Sequence, residues 1–165
     1  MIVSVKEIKK VLISILIPLA VGFLSSWISQ FIAQVPTGAA YGEFIKPSFA
    51  PPSFIFPIVW TILYILMGIS AYIITKDDRH SQKVNDAMFY YYLQLALNFV
   101  WSIFFFGFDL KFTAMITLII LIIVVVIMMI KFSKIDKRAF YLNVPYLLWL
   151  CYALFLNYFV WILNK

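Results

Sequence analysis

Five long stretches of this chain contain no Asp, Glu, Lys or Arg. They cover residues 11–42, 47–75, 87–108, 112–130 and 139–164. About 20 apolar residues in a helix cross the hydrocarbon core of a bilayer. The pattern predicts an all-α integral membrane protein, a multi-pass bundle of five transmembrane helices that forms a single domain over residues 1–165. We place the five helices at about 11–34, 52–75, 86–107, 112–130 and 139–163.

A soluble five-helix bundle is the alternative, and the composition argues against it. Charged residues make up 12% of the chain, about half of their usual share in soluble domains. Each helix of a soluble bundle needs a polar face, yet residues 112–130 contain only Thr113 and Thr117 as polar side chains. Because this fourth helix is apolar all round, we expect it to face lipid or a partner subunit and to carry little function.

Lysine and arginine are distributed unevenly among the segments outside the spans. The N-terminal segment and the connections after spans two and four carry three, three and four of them, whereas the other side has Lys46, Lys111 and Lys165. Cytoplasmic loops are enriched in basic residues, so we predict a cytoplasmic N-terminus and a C-terminus on the opposite side. The first apolar run is too long for a signal peptide, so the helix should be retained. The net charge of +6 belongs to this asymmetry and is no argument for nucleic-acid binding.

Few residues of this chain are suited to conventional catalysis. The single cysteine, Cys151, lies inside the last span, which excludes an intrachain disulfide and leaves no metal-binding spacing. The single histidine, His80, lies in a charged connection without a catalytic partner. We therefore expect no metal, no cofactor, and no acid–base pair or activated nucleophile.

The loop of residues 35–52, called the lid below, is long for a helix bundle, where connections of about 2–8 residues are usual. Its prolines and aromatic residues favour a packed cover over a site rather than a flexible surface loop. The second helix follows at once, and its Trp60 and Tyr64 are four apart and share one face. Pro18 and Pro145 are expected to bend the first and last helices.

Polar and small side chains form stripes on three of the helices. Small residues in a stripe let helices approach closely, whereas amides inside a bilayer need hydrogen-bond partners. The amides could bond to neighbouring helices, or line a pocket and orient a polar group of a ligand; the spacing leaves both uses open. The stripes are Gly22, Ser26, Ser29 and Ala33 in helix one, Gln94, Asn98, Trp101 and Ser102 in helix three, and Tyr146, Trp149, Ala153 and Asn157 in helix five.

Three blocks together resemble the translocator protein/tryptophan-rich sensory protein family. They are KPSFAPPSFIFPIVWTILYILMG from residue 46, QLALNFVWSIFFFG from residue 94 and PYLLWLCYALFLNYFVW from residue 145. The resemblance implies five membrane helices, usually in a homodimer. It also implies a pocket under the first long loop for protoporphyrin IX, other porphyrins, sterols and benzodiazepine-type drugs.

The resemblance also implies which residues contact the ligand and what the protein does. The matching positions are Tyr41, Pro47, Trp60, Asn98, Trp101, Trp149 and Ala153. The expected function is a receptor or sensor for tetrapyrroles within membrane lipid. The alternatives are light-dependent porphyrin degradation, with Trp60 and Trp149 as redox-active groups, and transport of porphyrins or lipids.

Three positions depart from the family pattern. Phe49 and Phe99 stand where tryptophan is common, so two indole N–H donors are missing. The basic residue of the sterol motif is displaced to Lys165, beyond the spacing that the motif allows after Tyr158. Lys46 is the best placed cation on the lid side, and we expect it to meet the carboxylates of a porphyrin.

Overall fold

The computed structural model of the chain describes residues 5–76 and 81–165, and His80 lies outside these ranges. A π-helical segment covers Ile103–Gly107, and no strand occurs in the described part of the chain. The helices are α1 (Val5–Ala33), α2 (Thr37–Glu43), α3 (Ile55–Thr75), α4 (Ser81–Ser102), α5 (Lys111–Ser133), α6 (Lys137–Leu142) and α7 (Val144–Leu163).

Five helical segments are long and apolar enough to cross a membrane. They are Glu7–Ala33, Ile55–Thr75, Gln82–Gly107, Lys111–Ser133 and Lys137–Leu163. The predicted five-helix membrane fold is therefore confirmed, and the protein is a multi-pass integral membrane protein. Within the lid, the structure adds the short helix α2, which the sequence analysis had treated as loop.

The spans pack as a ring. Helix α1 contacts α3 and α4, α4 contacts α5, α5 contacts α7, and α6 returns to α3. The ring places both α3 and α4 beside α1, below the lid.

Two glycines allow α1 and α3 to cross with almost no gap. A Cβ atom on Gly68 would lie 2.4 Å from the Ile15 Cα atom, and one on Gly22 would lie 2.2 Å from a ring carbon of Tyr64. Contacts this short leave no space for a side chain. The small residues of α1 thus have the packing role expected of them, and Gly68 supplies the matching surface on α3.

The expectation for the fourth helix holds for one face only, on which Ile116, Ile120 and Ile123 are exposed. Helix α5 has a continuous buried face that includes Leu121, Val125 and Met128, and it packs between α4 and α7. The most exposed span is instead α1. An entirely apolar helix is equally compatible with lipid and with a protein interior, so composition alone could not separate the two.

The last span is broken rather than bent. Helix α6 ends at Leu142, and α7 begins at Val144 with Pro145 in its first turn, where a missing N–H leaves no hydrogen bond unmade. The Asn143 side chain at the break is fully buried and donates to the Ser70 hydroxyl (2.6 Å) and to the Ala139 carbonyl (2.8 Å). Helix α1, by contrast, continues through Pro18.

Replacing Gly68 with Ala should destabilise the bundle, because the added methyl group meets the backbone of α1. Overpacking of this kind costs about 1–3 kcal/mol, and the effect is measured as a lower Tm in detergent. Gly42→Ala is the matched control, since nothing lies within 4 Å of a Cβ there. Equal Tm values for the two variants would contradict the close crossing.

Candidate ligand-binding cavity

A cavity of about 670 Å³ lies between α1, α2, α3 and α4. Small-molecule sites usually have volumes of about 300–1,000 Å³. Helix α2 of the lid borders the cavity through Thr37, Gly38 and Tyr41. No charged side chain lines it among the described residues.

Trp60 is the centre of the aromatic wall. Its ring stacks on Tyr64, with centroids 5.4 Å apart, and lies 6.2 Å from both Trp101 and Tyr146. Trp60 and Tyr64 share a face because they are one helical turn apart. Trp101 in turn stacks on Phe105 of the π-helical segment at 5.6 Å. The wall presents broad ring surfaces that suit a flat, unsaturated ligand.

A buried hydrogen-bond relay fixes Asn98 on this wall. Asn98 Nδ2 donates to the Tyr146 hydroxyl (3.2 Å), which donates to Gln94 Oε1 (2.7 Å). Gln94 Nε2 then contacts the Met67 sulfur at 3.8 Å. Asn98 also lines the cavity, and its Oδ1 accepts no hydrogen bond within the described chain. Gln94 therefore joins helices. Asn98 also joins helices, and in addition it lines the cavity with an unused acceptor oxygen.

The indole donor of Trp101 is already occupied. Its Nε1 donates to Asn157 Oδ1 (3.3 Å), and Asn157 Nδ2 donates to the Lys111 carbonyl (2.9 Å). Trp101 can therefore offer the cavity a ring face but no hydrogen bond. Ser102 forms a hydrogen bond with Ser29 (3.2 Å), which ties α4 to α1 beside it.

Tyr41 joins the lid to the cavity. Its hydroxyl donates to the Pro51 carbonyl (3.1 Å), and its ring meets Phe56 edge-on at 4.8 Å. Burial raises the pKa of Tyr41 to about 12, so the hydroxyl stays neutral and remains a donor at physiological pH.

The other two lid residues singled out by sequence do not line this cavity. Lys46 donates to the carbonyls of Tyr41, Gly42 and Phe44, each at 2.9 Å. The carbonyl of Pro47 accepts from the Ala50 N–H (3.0 Å) in a tight turn. Both residues shape the lid, and the expected meeting of Lys46 with a ligand carboxylate has no support from this geometry.

Trp149 and Ala153 lie behind the wall. Trp149 contacts Phe56, a lining residue, with centroids 5.9 Å apart, and its Nε1 is buried without a hydrogen-bond partner. Ala153 is buried in the core. Of the seven residues expected at the site, Tyr41, Trp60, Asn98 and Trp101 thus line this cavity, and Pro47, Trp149 and Ala153 do not.

Sequence reasoning missed the contribution of α1. The small-residue stripe was correctly seen as a packing surface, but part of it also borders the cavity. The lining residues on this helix are Leu19, Gly22, Phe23, Ser25 and Ser26. A stripe of small residues indicates that a neighbouring group packs closely against the helix. That group can be a ligand as well as another helix.

Residues suited to metal or redox chemistry do not gather in the described part of the chain. No group of three or more His, Cys, Asp or Glu side chains is positioned to hold a metal ion among residues 5–76 and 81–165. Cys151 is exposed on α7, on a helix that does not line the cavity.

Comparison with known proteins gives one consistent family. A sequence model described as the TspO/MBR family matches residues 14–162. The "Tryptophan-rich protein TspO" of Chlorobaculum tepidum is 35% identical over 96% of this chain and 98% of its own length. The protein of the same name from Archaeoglobus fulgidus is 36% identical over 96% and 99%. The human "Translocator protein" is 32% identical over 73% of this chain and 72% of its own.

Proposed function

Because this chain belongs to the TspO/MBR family, we propose that it is a membrane receptor that binds protoporphyrin IX and related flat, hydrophobic ligands in the cavity below the lid. Ligand occupancy would then be the signal that the receptor reports. The observation that carries the proposal is the aromatic wall around Trp60, with the free Asn98 oxygen beside it.

The chemistry of the wall favours a flat macrocycle. A porphyrin offers two wide faces to Trp60 and Trp101, and stacking of this kind adds about 0.5–1.5 kcal/mol per ring pair beyond burial. Asn98 lines the cavity beside these rings, so its amide contacts the edge of the macrocycle, whose inner N–H groups point to the ring centre. We propose that Tyr41, Trp60, Asn98 and Trp101 contact the ligand directly, and that Trp149 acts through Phe56.

The uncharged lining limits how a porphyrin can sit. A carboxylate inside a low-dielectric cavity is best satisfied by a cation, and the polar groups of the described lining are all neutral: hydroxyls, the Asn98 amide and the indole N–H groups of Trp60 and Trp101. The two carboxylates should therefore lie at the lid end of the cavity, where Gly38 and Ser53 are exposed, while the macrocycle lies deeper between α1 and α3. Affinity would come from the ring faces and Asn98 rather than from an ion pair.

Binding should weaken when the cavity is filled or its acceptor removed. We expect Asn98→Ala to raise the Kd for protoporphyrin IX roughly tenfold, about 1.4 kcal/mol, because it removes a lining side chain and the bond that holds Tyr146 against Trp60, and Ser26→Phe to raise it further by occupying the cavity. The measurement is tryptophan quenching of the purified protein in detergent, in the dark. Ala20→Phe, an exposed substitution on the same helix, is the matched control. Non-saturable quenching, identical in all variants, would mean that the porphyrin only partitions into the micelle.

Esterifying the ligand should cost little affinity. Since no described lining residue is a cation, the dimethyl ester of protoporphyrin IX should bind within about threefold of the free acid, less than 1 kcal/mol. Lys46→Ala should affect the two ligands equally, because Lys46 bonds to carbonyls of the lid and does not line the cavity. If Lys46→Ala weakened the binding of the free acid alone, the result would support the ion pair with Lys46 that the sequence suggested.

The two alternative functions have distinct experimental signatures. Light-dependent loss of porphyrin absorbance, abolished in Trp60→Phe or Trp149→Phe with binding retained, would favour degradation. The name of the human relative describes a translocator, and flux of porphyrin across sealed vesicles would favour transport. We propose binding first because the cavity supports it without any further chemistry.

We also propose the orientation and the assembly given by the sequence. Lys46, Lys111 and Asn164 are linked through the lid, since Phe44 covers Lys111 at 4.4 Å and Ile45 bonds to Asn164. The sparsely charged segments therefore meet at one end, and the positive-inside rule makes that end non-cytoplasmic. Homodimer formation rests on the family resemblance, and the mass of the protein–detergent complex measures it.

Topology can be read from fusions in a bacterial host. We expect alkaline phosphatase fused after Lys165 to be active, because the C-terminus should lie outside the cytoplasm. The same enzyme fused after Lys134, in the basic connection between α5 and α6, should be inactive. The reverse pattern would overturn the orientation but leave the fold intact.

A further inference from the structure

We infer that ligands reach the cavity sideways from the bilayer, through an opening between α1 and the first half of α3, and not from water through the lid. The inference rests on the proposed function for the existence of a ligand. The route itself follows from which residues line the cavity while remaining exposed, and from how the lid is fastened.

Residues that both line the cavity and are exposed mark its opening. On α1 this residue is Phe23, 71% exposed, and beside α3 it is Phe54, 62% exposed. Pro57 and Thr61 on α3 are also exposed and line the same cavity, and toward the lid the opening continues past Gly38 and Ser53, which are exposed as well. The rim on the α1–α3 side is thus aromatic and apolar, which suits contact with lipid chains rather than water.

Close contact bounds the opening at one end only. Gly22 against Tyr64 closes it on the side away from the lid, with no space for a Cβ atom. Near the lid, Gly38 of α2 lies opposite Ser53 with room for a Cβ atom between them, 3.9 Å from the Ser53 side chain. Between these two points, the rim residues face outward.

The depth of the opening places it in the hydrocarbon region. Phe23 lies ten residues before the end of the span Glu7–Ala33, which is about 15 Å along a helix that rises 1.5 Å per residue. Thr61 lies six residues inside the span Ile55–Thr75. The threonine hydroxyl donates to the Pro57 carbonyl (2.7 Å), so it presents no unmatched donor to lipid.

The lid is held down on the opposite side. Asn164 at the end of α7 forms two hydrogen bonds with the Ile45 backbone, one to its N–H and one to its carbonyl, each 2.9 Å. The Tyr152 hydroxyl donates to the Phe49 carbonyl (3.2 Å), and Phe49 stacks on Phe155 at 5.1 Å. Opening the lid would break all of these contacts, whereas the lateral route breaks none of the described hydrogen bonds.

The geometry selects ligands by their solubility in the membrane. A molecule that enters between Phe23 and Thr61 must first dissolve among lipid chains, so the class is neutral or weakly charged, flat and hydrophobic. The association rate would then follow the mole fraction of ligand in the bilayer rather than its concentration in water.

Binding kinetics in lipid nanodiscs test the route, with protoporphyrin IX dimethyl ester as the probe and stopped-flow tryptophan quenching as the readout. Thr61→Phe should slow both association and dissociation by roughly tenfold, about 1.4 kcal/mol in each barrier, because it narrows the opening. A merely damaged cavity wall would speed dissociation instead. Phe23→Ala should speed both rates, and Ile58→Phe, exposed on α3 but outside the lining, should leave them unchanged.

Variants that loosen the lid test the alternative route, entry through the lid. Asn164→Ala and Tyr152→Phe loosen the lid, and both rates should stay within about twofold of those of the unaltered protein if entry is lateral. Faster association and dissociation in these two variants, with no slowing in Thr61→Phe, would overturn the inference and assign entry to the lid. Absence of saturable binding in the unaltered protein would instead contradict the proposed function.

Discussion

The hydroxyl of Tyr146 joins α7 to α4 in the interior of the bundle. It accepts from Asn98 and donates to Gln94, so one side chain of α7 satisfies two amides of α4 where no water is available to do so. Its ring also lies 6.2 Å from Trp60 on α3. Because the relay runs in one direction, it determines that the Asn98 nitrogen is used and its oxygen is left over. The polarity of the cavity is therefore a consequence of how the helices are held together.

The bundle has one part joined by buried polar contacts and another, α1 on α3, joined chiefly by close backbone packing. Helices α4, α5 and α7 share buried polar contacts, such as that of Trp101 with Asn157. Helix α1 is the least buried span and is attached through small residues that leave no space for side chains. Close backbone packing holds α1 where it touches α3 and leaves the remaining space between them to the cavity. The cavity therefore lies at the boundary between the two parts, next to lipid.

Much of the fold could be predicted from the sequence, because charge-free runs define spans and basic residues mark their ends. Periodicity also placed Trp60 beside Tyr64 on the second helix and Asn98 beside Trp101 on the third, and all four residues line the cavity. Periodicity does not say which other helix a face meets. Trp149 and Ala153 share a helix face, as Asn98 and Trp101 do. Neither of them lines the cavity, however, and Trp149 packs against Phe56. The burial of α5 and the contribution of α1 were missed for the same reason: both depend on the order of helices around the ring.

The uncharged lining and the fastened lid have a common physical basis. Lys46 and Lys111 lie at the lid end of the bundle, and each is engaged by the protein itself: Lys46 by three lid carbonyls, Lys111 by Asp109 and the Phe44 ring. Cations used in this way stabilise the lid and the end of the bundle, so they are not available to draw an anion from water. A cavity built like this discriminates through ring surface and one acceptor, and a charged group on a ligand must remain outside. Selection by solubility in the bilayer and selection by the cavity then favour the same molecules, because both exclude charge and reward flat apolar surface.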